Sequence, residues 1–250
     1  VELNEPHHWG MRDAPDVIFV VSAYLSAYNA KKFGVGDYIA QMMFNSPPGT
    51  SDAMDLAKML ACMVMTEPLQ DDHFHIWRQT RTGLLSYPLQ EDAARAHLAA
   101  SIYLQMALKP HILHIVGHTE AHHAATANDI IVASRMARQA IENASKGQPA
   151  MTHDPAIQNP VEALVTEAQV TLAAIRDLAK KSVQDPFTDP GTLTKAVQTG
   201  ILDAPHLKNN PFARGLIQTR IQNGACVAID SEGNPLSERE RLNSFNKEVS

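Results

Sequence analysis

The sequence predicts an α/β fold in which short strands alternate with longer helices as consecutive βα units of a parallel sheet. Three observations predict it: four short segments rich in β-branched and aromatic residues, a helical pattern after each, and near-constant spacing between them. Strand starts near residues 2, 38, 73 and 111 stand 36, 35 and 38 residues apart. Open doubly wound sheets and closed barrels share such spacing, so it does not choose between them.

The first strand is read at residues 1–3. A helix over residues 15–32 follows, with Val17, Val20, Val21, Tyr24 and Tyr28 on one face and Gly34 and Gly36 as its stop. The second strand, residues 38–43, leads to a helix over 51–65 that Ser51 caps and that carries a stripe of Leu56, Leu60 and Val64. Residues 73–77 form the third strand, with His73 and His75 as interior or interface side chains; the helix over 90–108 is ended by Pro110. The fourth strand spans 111–116 and its helix 128–144, stopped near Gly147. This sets one unit at residues 1–147. Residues 148–250 read as an appendage, because Pro149, Pro155 and Pro160 interrupt the chain before Val161, Leu164, Ala168, Leu172 and Ile175 recur at helical spacing. Residues 226–230 and the turn after them read as a small hairpin or extended arm, and residues 236–250 as a solvated end.

Composition narrows the function classes. The chain has 250 residues, 44% apolar and 19% charged, the profile of a globular protein able to bury a core. A net charge of −6 and the lack of a basic arm disfavour nucleic acid as a partner. The longest apolar stretch, residues 17–25, is too short for a membrane span, and with no basic-then-apolar leader the expected location is the cytoplasm. Cys62 and Cys226 stand far apart and are expected to be buried thiols. The ten methionines suit an adaptable core. Glycine-rich phosphate loops and a Gly-x-Ser-x-Gly elbow are missing.

In either parallel architecture the ligand lies beyond the carboxyl ends of the strands, and the segments read there as loops are polar. They are Asn4 to Trp9, Phe44 to Gly49, Arg78 to Gly83, and Gly117 to His123. Arg78 and Arg81 either fork onto a ligand carboxylate or pair with Glu5 and Glu120 across the rim. His118, Glu120, His122 and His123, with His114 upstream, offer metal-ligand types, which opens a reading as a metal-dependent hydrolase or lyase using His118, Glu120 and His122. Their spacing lacks the helical i, i+4 pairing of His-Glu-x-x-His sites, so hydrogen-bonding or packing roles are expected and no metal site is assigned.

Three stretches, residues 88–100, 107–128 and 197–242, together resemble the catalytic (epsilon) subunit of glutamate mutase, an adenosylcobalamin-dependent enzyme family. The runs that carry the resemblance are Ile115-Val116-Gly117-His118-Thr119-Glu120-Ala121, Gly147-Gln148-Pro149-Ala150-Met151-Thr152, Thr199-Gly200-Ile201-Leu202-Asp203, and Arg220-Ile221-Gln222-Asn223 before Cys226-Val227. Asn4-Glu5-Pro6 is also similar to a strand-end loop of that family. The resemblance covers nearly the whole chain and implies the second half of a (β/α)8 TIM barrel, its four βα units being the fifth to eighth, with a C-terminal helical and extended appendage. It implies a radical rearrangement of a small amino or carboxylic acid, with an N-terminal half-barrel or a second copy completing the barrel. A separate cobalamin-binding subunit is implied too, since no Asp-x-His-x-x-Gly motif is present. Glu120 matches the glutamate that holds the ribose of the adenosyl group; Val116 stands where the family has a lysine. His118, Asn45 and Gly83 join Glu120 as the expected cofactor-contacting positions, and Arg78, Arg81 and Glu120 as the catalytic ones. A non-catalytic half-barrel scaffold is the remaining reading.

Overall fold

The computed structural model describes residues 1–3 and 5–247, with Asn4, the first residue of the segment after the first strand, outside the described residues. Four strands, β1 (Glu2–Leu3), β2 (Asp37–Phe44), β3 (His75–Thr82) and β4 (Ile112–His114), form one sheet in the order β1-β2-β3-β4 with every pair parallel. The helices α1 (Glu5–Met11), α2 (Asp16–Lys32), α3 (Asp52–Thr66), α4 (Glu91–Gln105) and α5 (Ala127–Ser145) run between and after them. The expected α/β alternation is therefore present. No described helix is long and apolar enough to cross a membrane.

Period-two alternation gives the sheet two different faces. Tyr38, Ala40, Met42 and Phe44 of β2 pack against the helices, and so do Ile76, Thr80 and Thr82 of β3. The other face carries Glu2, Ile39, Gln41 and Met43, then Trp77, Gln79 and Arg81, then Ile112 and His114. Register sets Gln41 beside Gln79, Met43 beside Arg81, and Arg81 beside His114.

α2 is buried almost all round, because the sheet lies on one side and α3 and α6 (Pro155–Asp177) on the others. Ile157, Val161, Leu172 and Ile175 of α6 thereby share one core with Val17, Val20 and Leu56. Ser51 caps α3 as expected, accepting the Met54 N–H at 3.3 Å. The stripe expected on α3 is rotated: Val64 is exposed, whereas Leu56, Ala57, Met59, Ala61 and Cys62 are buried together with Asp55 and Lys58. Three packed neighbours bury a broader arc than a single stripe, and small alanines let them approach. Both cysteines are buried, as expected.

Three boundaries differ in ways that matter for the site. The third strand starts and ends later than expected, so Arg78, Gln79, Thr80, Arg81 and Thr82 are strand residues, paired with β2 over eight positions. Backbone pairing decides where a strand stops, and the polar side chains here find partners across the sheet. His73 lies in the turn before β3, where its N–H reaches Asp71 Oδ1 at 2.9 Å; it and His75 are both exposed rather than interior. Residues 5–9, read as part of a loop, belong to α1, which buries Pro6, Trp9 and Gly10.

The C-terminal part is more ordered than expected. After α7 (Pro190–Thr199), the strands β5 (Gln218–Gln222) and β6 (Ala225–Ile229) make an antiparallel hairpin whose turn, Asn223-Gly224, takes positive φ at both residues. Gly224 is required there, since a Cβ would collide with Ser51. The segment expected to be solvated forms α8 (Glu238–Lys247). Arg241 is buried within it, pairing with Glu238 at 2.7 Å and donating to the carbonyls of Gly200 and Ile201 at 2.7 and 2.8 Å.

Candidate functional site

The sheet face opposite α2, α3 and α4, which only α1 approaches, carries a grouping of polar side chains that the strands bring together. Glu2, the first residue of β1, accepts hydrogen bonds from the side-chain amides of Gln41 and Gln79, the latter at 2.7 Å. Gln41 Oε1 in turn meets His7 Nδ1, from α1, at 3.2 Å. Both glutamines are buried. A carboxylate and two amides that satisfy one another form a rigid polar floor.

Arg81 stands one pleat further along β3, toward the carboxyl ends of the strands. It is half-buried, its Nε is buried without a hydrogen-bond partner, and no carboxylate lies within ion-pair distance among the described residues. Burial lowers its pKa while Glu120 and Glu2 act to raise it, so these carboxylates lie within electrostatic range without bonding to it. Burial, then the Arg81 charge, depresses His7 from 6.5 to about 4, and burial followed by Arg81 lowers His114 as well. Both imidazoles are neutral at neutral pH. A guanidinium without an ion pair, flanked by neutral rings on a polar floor, is an arrangement for receiving an anion with planar oxygens.

Glu120 lies above this face in the turn after β4. Its Oε1 accepts the Gly117 N–H at 2.5 Å, and the side chain is exposed, leaving the second oxygen available. Arg78 is not part of the grouping. It pairs with Glu67 at 3.1 Å and donates to Lys109 O at 3.1 Å, on the helix side of β3, so the two arginines pair with neither Glu5 nor Glu120 and only Arg81 faces the open side. Asn45 is buried at the end of β2 with φ +57°; its Oδ1 accepts from Ser101 Oγ at 2.7 Å, and Ser101 joins Thr82 and Gln105 in an interior network. Gly83 lets the ends of β2 and β3 close up. A Cβ there would stand 2.8 Å from Asn45 O, so Gly83→Ala is expected to cost about 1–3 kcal/mol in urea unfolding.

The histidines after β4 diverge. His118 is buried, with Nε2 facing Arg95 Nε at 3.4 Å, while His122 Nε2 faces Pro88 O at 3.1 Å. The segment is a series of turns, not an extended run, so neighbouring side chains fan out. Among the described residues no group of three His, Cys, Asp or Glu is placed to hold a metal ion.

Sequence reasoning placed Arg81 and Glu120 near the strand ends and read His7 and Gln79 only as members of polar strand-end segments, without a role; it missed Glu2 and Gln41. The available signal was period two: Gln79 and Arg81 alternate with Thr80 and Thr82, which marks a strand with two dissimilar faces. The His7 pKa sets a pH dependence. Its folded value lies below 6.5, so on acidification the unfolded chain takes up the proton first; the stability present above pH 6.5 is lost as pH falls toward 4. An NMR titration of His7 is expected to show a midpoint near 4, and a midpoint near 6.5 would contradict the burial described. No protein-family model matches the chain, and no curated protein does.

Proposed function

We propose that the chain is the second-half barrel component of an adenosylcobalamin-dependent carbon-skeleton mutase, similar to glutamate mutase, acting on a small amino or carboxylic acid. The observation that carries this reading is Arg81: a half-buried guanidinium with no carboxylate within ion-pair distance among the described residues, on the open sheet face in electrostatic range of Glu120. In parallel βα folds that end of the strands is where ligands are bound. The order β1-β2-β3-β4 with helices on one face supports a half-barrel covering residues 1–147, with residues 148–250 as its appendage.

The open face also supports a partner. Trp77 and Ile112 on it are 40% and 38% exposed, and among the described residues β1 and β4 each have one unpaired edge. Exposed apolar side chains and parallel edges are costly in water, and a second set of four βα units would cover both. In this reading that set comes from an N-terminal half-barrel polypeptide or from a second copy of the chain, and a separate subunit carries the cobalamin.

Glu120 fits the role of holding the ribose, because its free oxygen is exposed and a carboxylate accepts hydroxyl donors. Val116, at the position of the family lysine, packs with Ala94, Leu98 and Ala133 in the core beneath and takes no part. Adenosylcobalamin, when bound, supplies the radical chemistry of the rearrangement. This chain's residues orient and enclose: Glu120 holds the sugar, Arg81 binds the acid's carboxylate, and the Glu2, Gln41 and Gln79 floor keeps Arg81's surroundings rigid.

The test is titration of adenosylcobalamin into the chain combined with candidate cobalamin-binding and N-terminal half-barrel proteins. Saturable binding in the assembled complex, with cleavage of the cobalt–carbon bond only when substrate is added and weaker binding for Glu120→Gln, is the expected result. Folded protein that binds in no combination overturns the proposal.

A further inference from the structure

A second concave region lies where the hairpin meets the loop after β2, and it shares no residue with the Arg81 grouping. It is a cavity of about 620 Å³. Pro47, Pro48, Lys208, Leu216, Arg220 and Ile221 are among the residues that line it. Its walls are held independently of any occupant. Asp203, buried, accepts the backbone N–H groups of Gly215, Leu216 and Ile217 at 2.9, 3.0 and 3.1 Å, which fixes the loop carrying Leu216. Lys58 Nζ holds Ser46 O at 2.7 Å, just before Pro47. Thr219 Oγ1 donates to Asp13 O at 2.9 Å, and the Cys226 N–H to Asp16 Oδ2 at 3.0 Å, fastening the hairpin to α2 and the turn before it.

Two features of this cavity bear on what it can bind. Leu216 is 65% exposed although its backbone is tightly fixed. Lys208 and Arg220 are both exposed, and neither pairs with a carboxylate among the described residues; Arg220 Nη2 donates only to Gly233 O and Gln222 Oε1. The one carboxylate in the lining, Asp13, is engaged by His206 at 3.1 Å. A rigid cavity that combines apolar side chains with two cations in its lining suits a small molecule with an apolar body and one anionic end.

We infer that this cavity binds a small amphiphilic anion, a carboxylate or a phosphate monoester, with its apolar body against Pro47, Pro48 and Leu216 and its anionic group at Lys208 and Arg220. The site is separate from the proposed mutase site, so either assignment can fail alone. The experiment is a backbone amide NMR titration with phenyl phosphate, benzoate and, as the neutral control, benzyl alcohol. At least one anion is expected to shift residues 216–221 and 225–229 saturably, with benzyl alcohol weaker by about tenfold, as loss of a charge-assisted contact requires. Whichever anion binds more tightly identifies the anionic group. Lys208→Glu, a change at an exposed side chain, is expected to weaken binding by about tenfold or more, and Arg220→Glu to do the same. Shifts elsewhere, equal binding of the neutral alcohol, or a Lys208→Glu variant that binds the anion as well as the parent chain each overturn the assignment.

Discussion

Lys58→Met is expected to cost about 3–5 kcal/mol of stability, because removing one partner of a buried ion group leaves the others uncompensated. Lys58 is fully buried, with Nζ 2.9 Å from Asp16 Oδ1, 3.2 Å from Asp55 Oδ1 and 2.7 Å from Ser46 O. It joins α2, α3 and the loop after β2. Burial pushes Asp55 up to about 6 even though Lys58 and the Asn45 N–H act to lower it, so without the ammonium its carboxylate is driven further toward the neutral form. Urea unfolding of Lys58→Met measures the loss. Combining it with Asp16→Asn and Asp55→Asn is expected to recover part of it, since the stranded charges go with the cation. A cost below about 1 kcal/mol for the single variant is what a solvent-exposed pair gives, and would show that the group is not closed to water.

Arg81→Met is expected to weaken binding of the acid substrate in the assembled complex by about a hundredfold, the loss of a charge-assisted bidentate contact in a partly desolvated site. Arg81→Lys restores part of it, because an ammonium keeps the charge without the planar fork. Arg78→Met is the control. Its guanidinium serves Glu67 and Lys109 O on the other side of the strand, so binding is expected to stay within about twofold while the fold loses the small worth of a partly exposed ion pair. Equal losses from both arginines, or none from either, would remove Arg81 from the proposed site. These measurements read Kd or KM for the acid alongside folding stability, which separates a binding role from a structural one.

The two arginines show how far the sequence carries the site. Their residue type and their position near the end of the third βα strand were legible, and so was the choice they faced between ligand and rim carboxylate. Which side of β3 each would face was not, because that depends on where the strand begins and ends. A boundary set several residues later moves Arg78 and Arg81 from a loop into the ladder, and period-two alternation then sends them to opposite faces. Glu120 was legible from the Gly117-His118-Thr119-Glu120 run, and the structure places it at the expected strand end with one oxygen bonded locally. Glu2, Gln41 and Gln79 were not legible as a group; three polar residues 38 or 39 positions apart acquire meaning only when parallel pairing brings their strands together.

Local patterning determined the alternation of strands and helices, the Ser51 cap, the apolar face of α6 and the burial of both cysteines, because apolar periodicity and end signals act within a few residues of chain. Tertiary structure decided the rest. It chose the buried face of α3, enclosed Lys58 between two carboxylates, turned α8 into a docked helix through Arg241, and left one sheet face open with Arg81 on it. Each of these depends on partners distant in sequence, and the free energy of burying or pairing a polar group is set by where those partners end up in space.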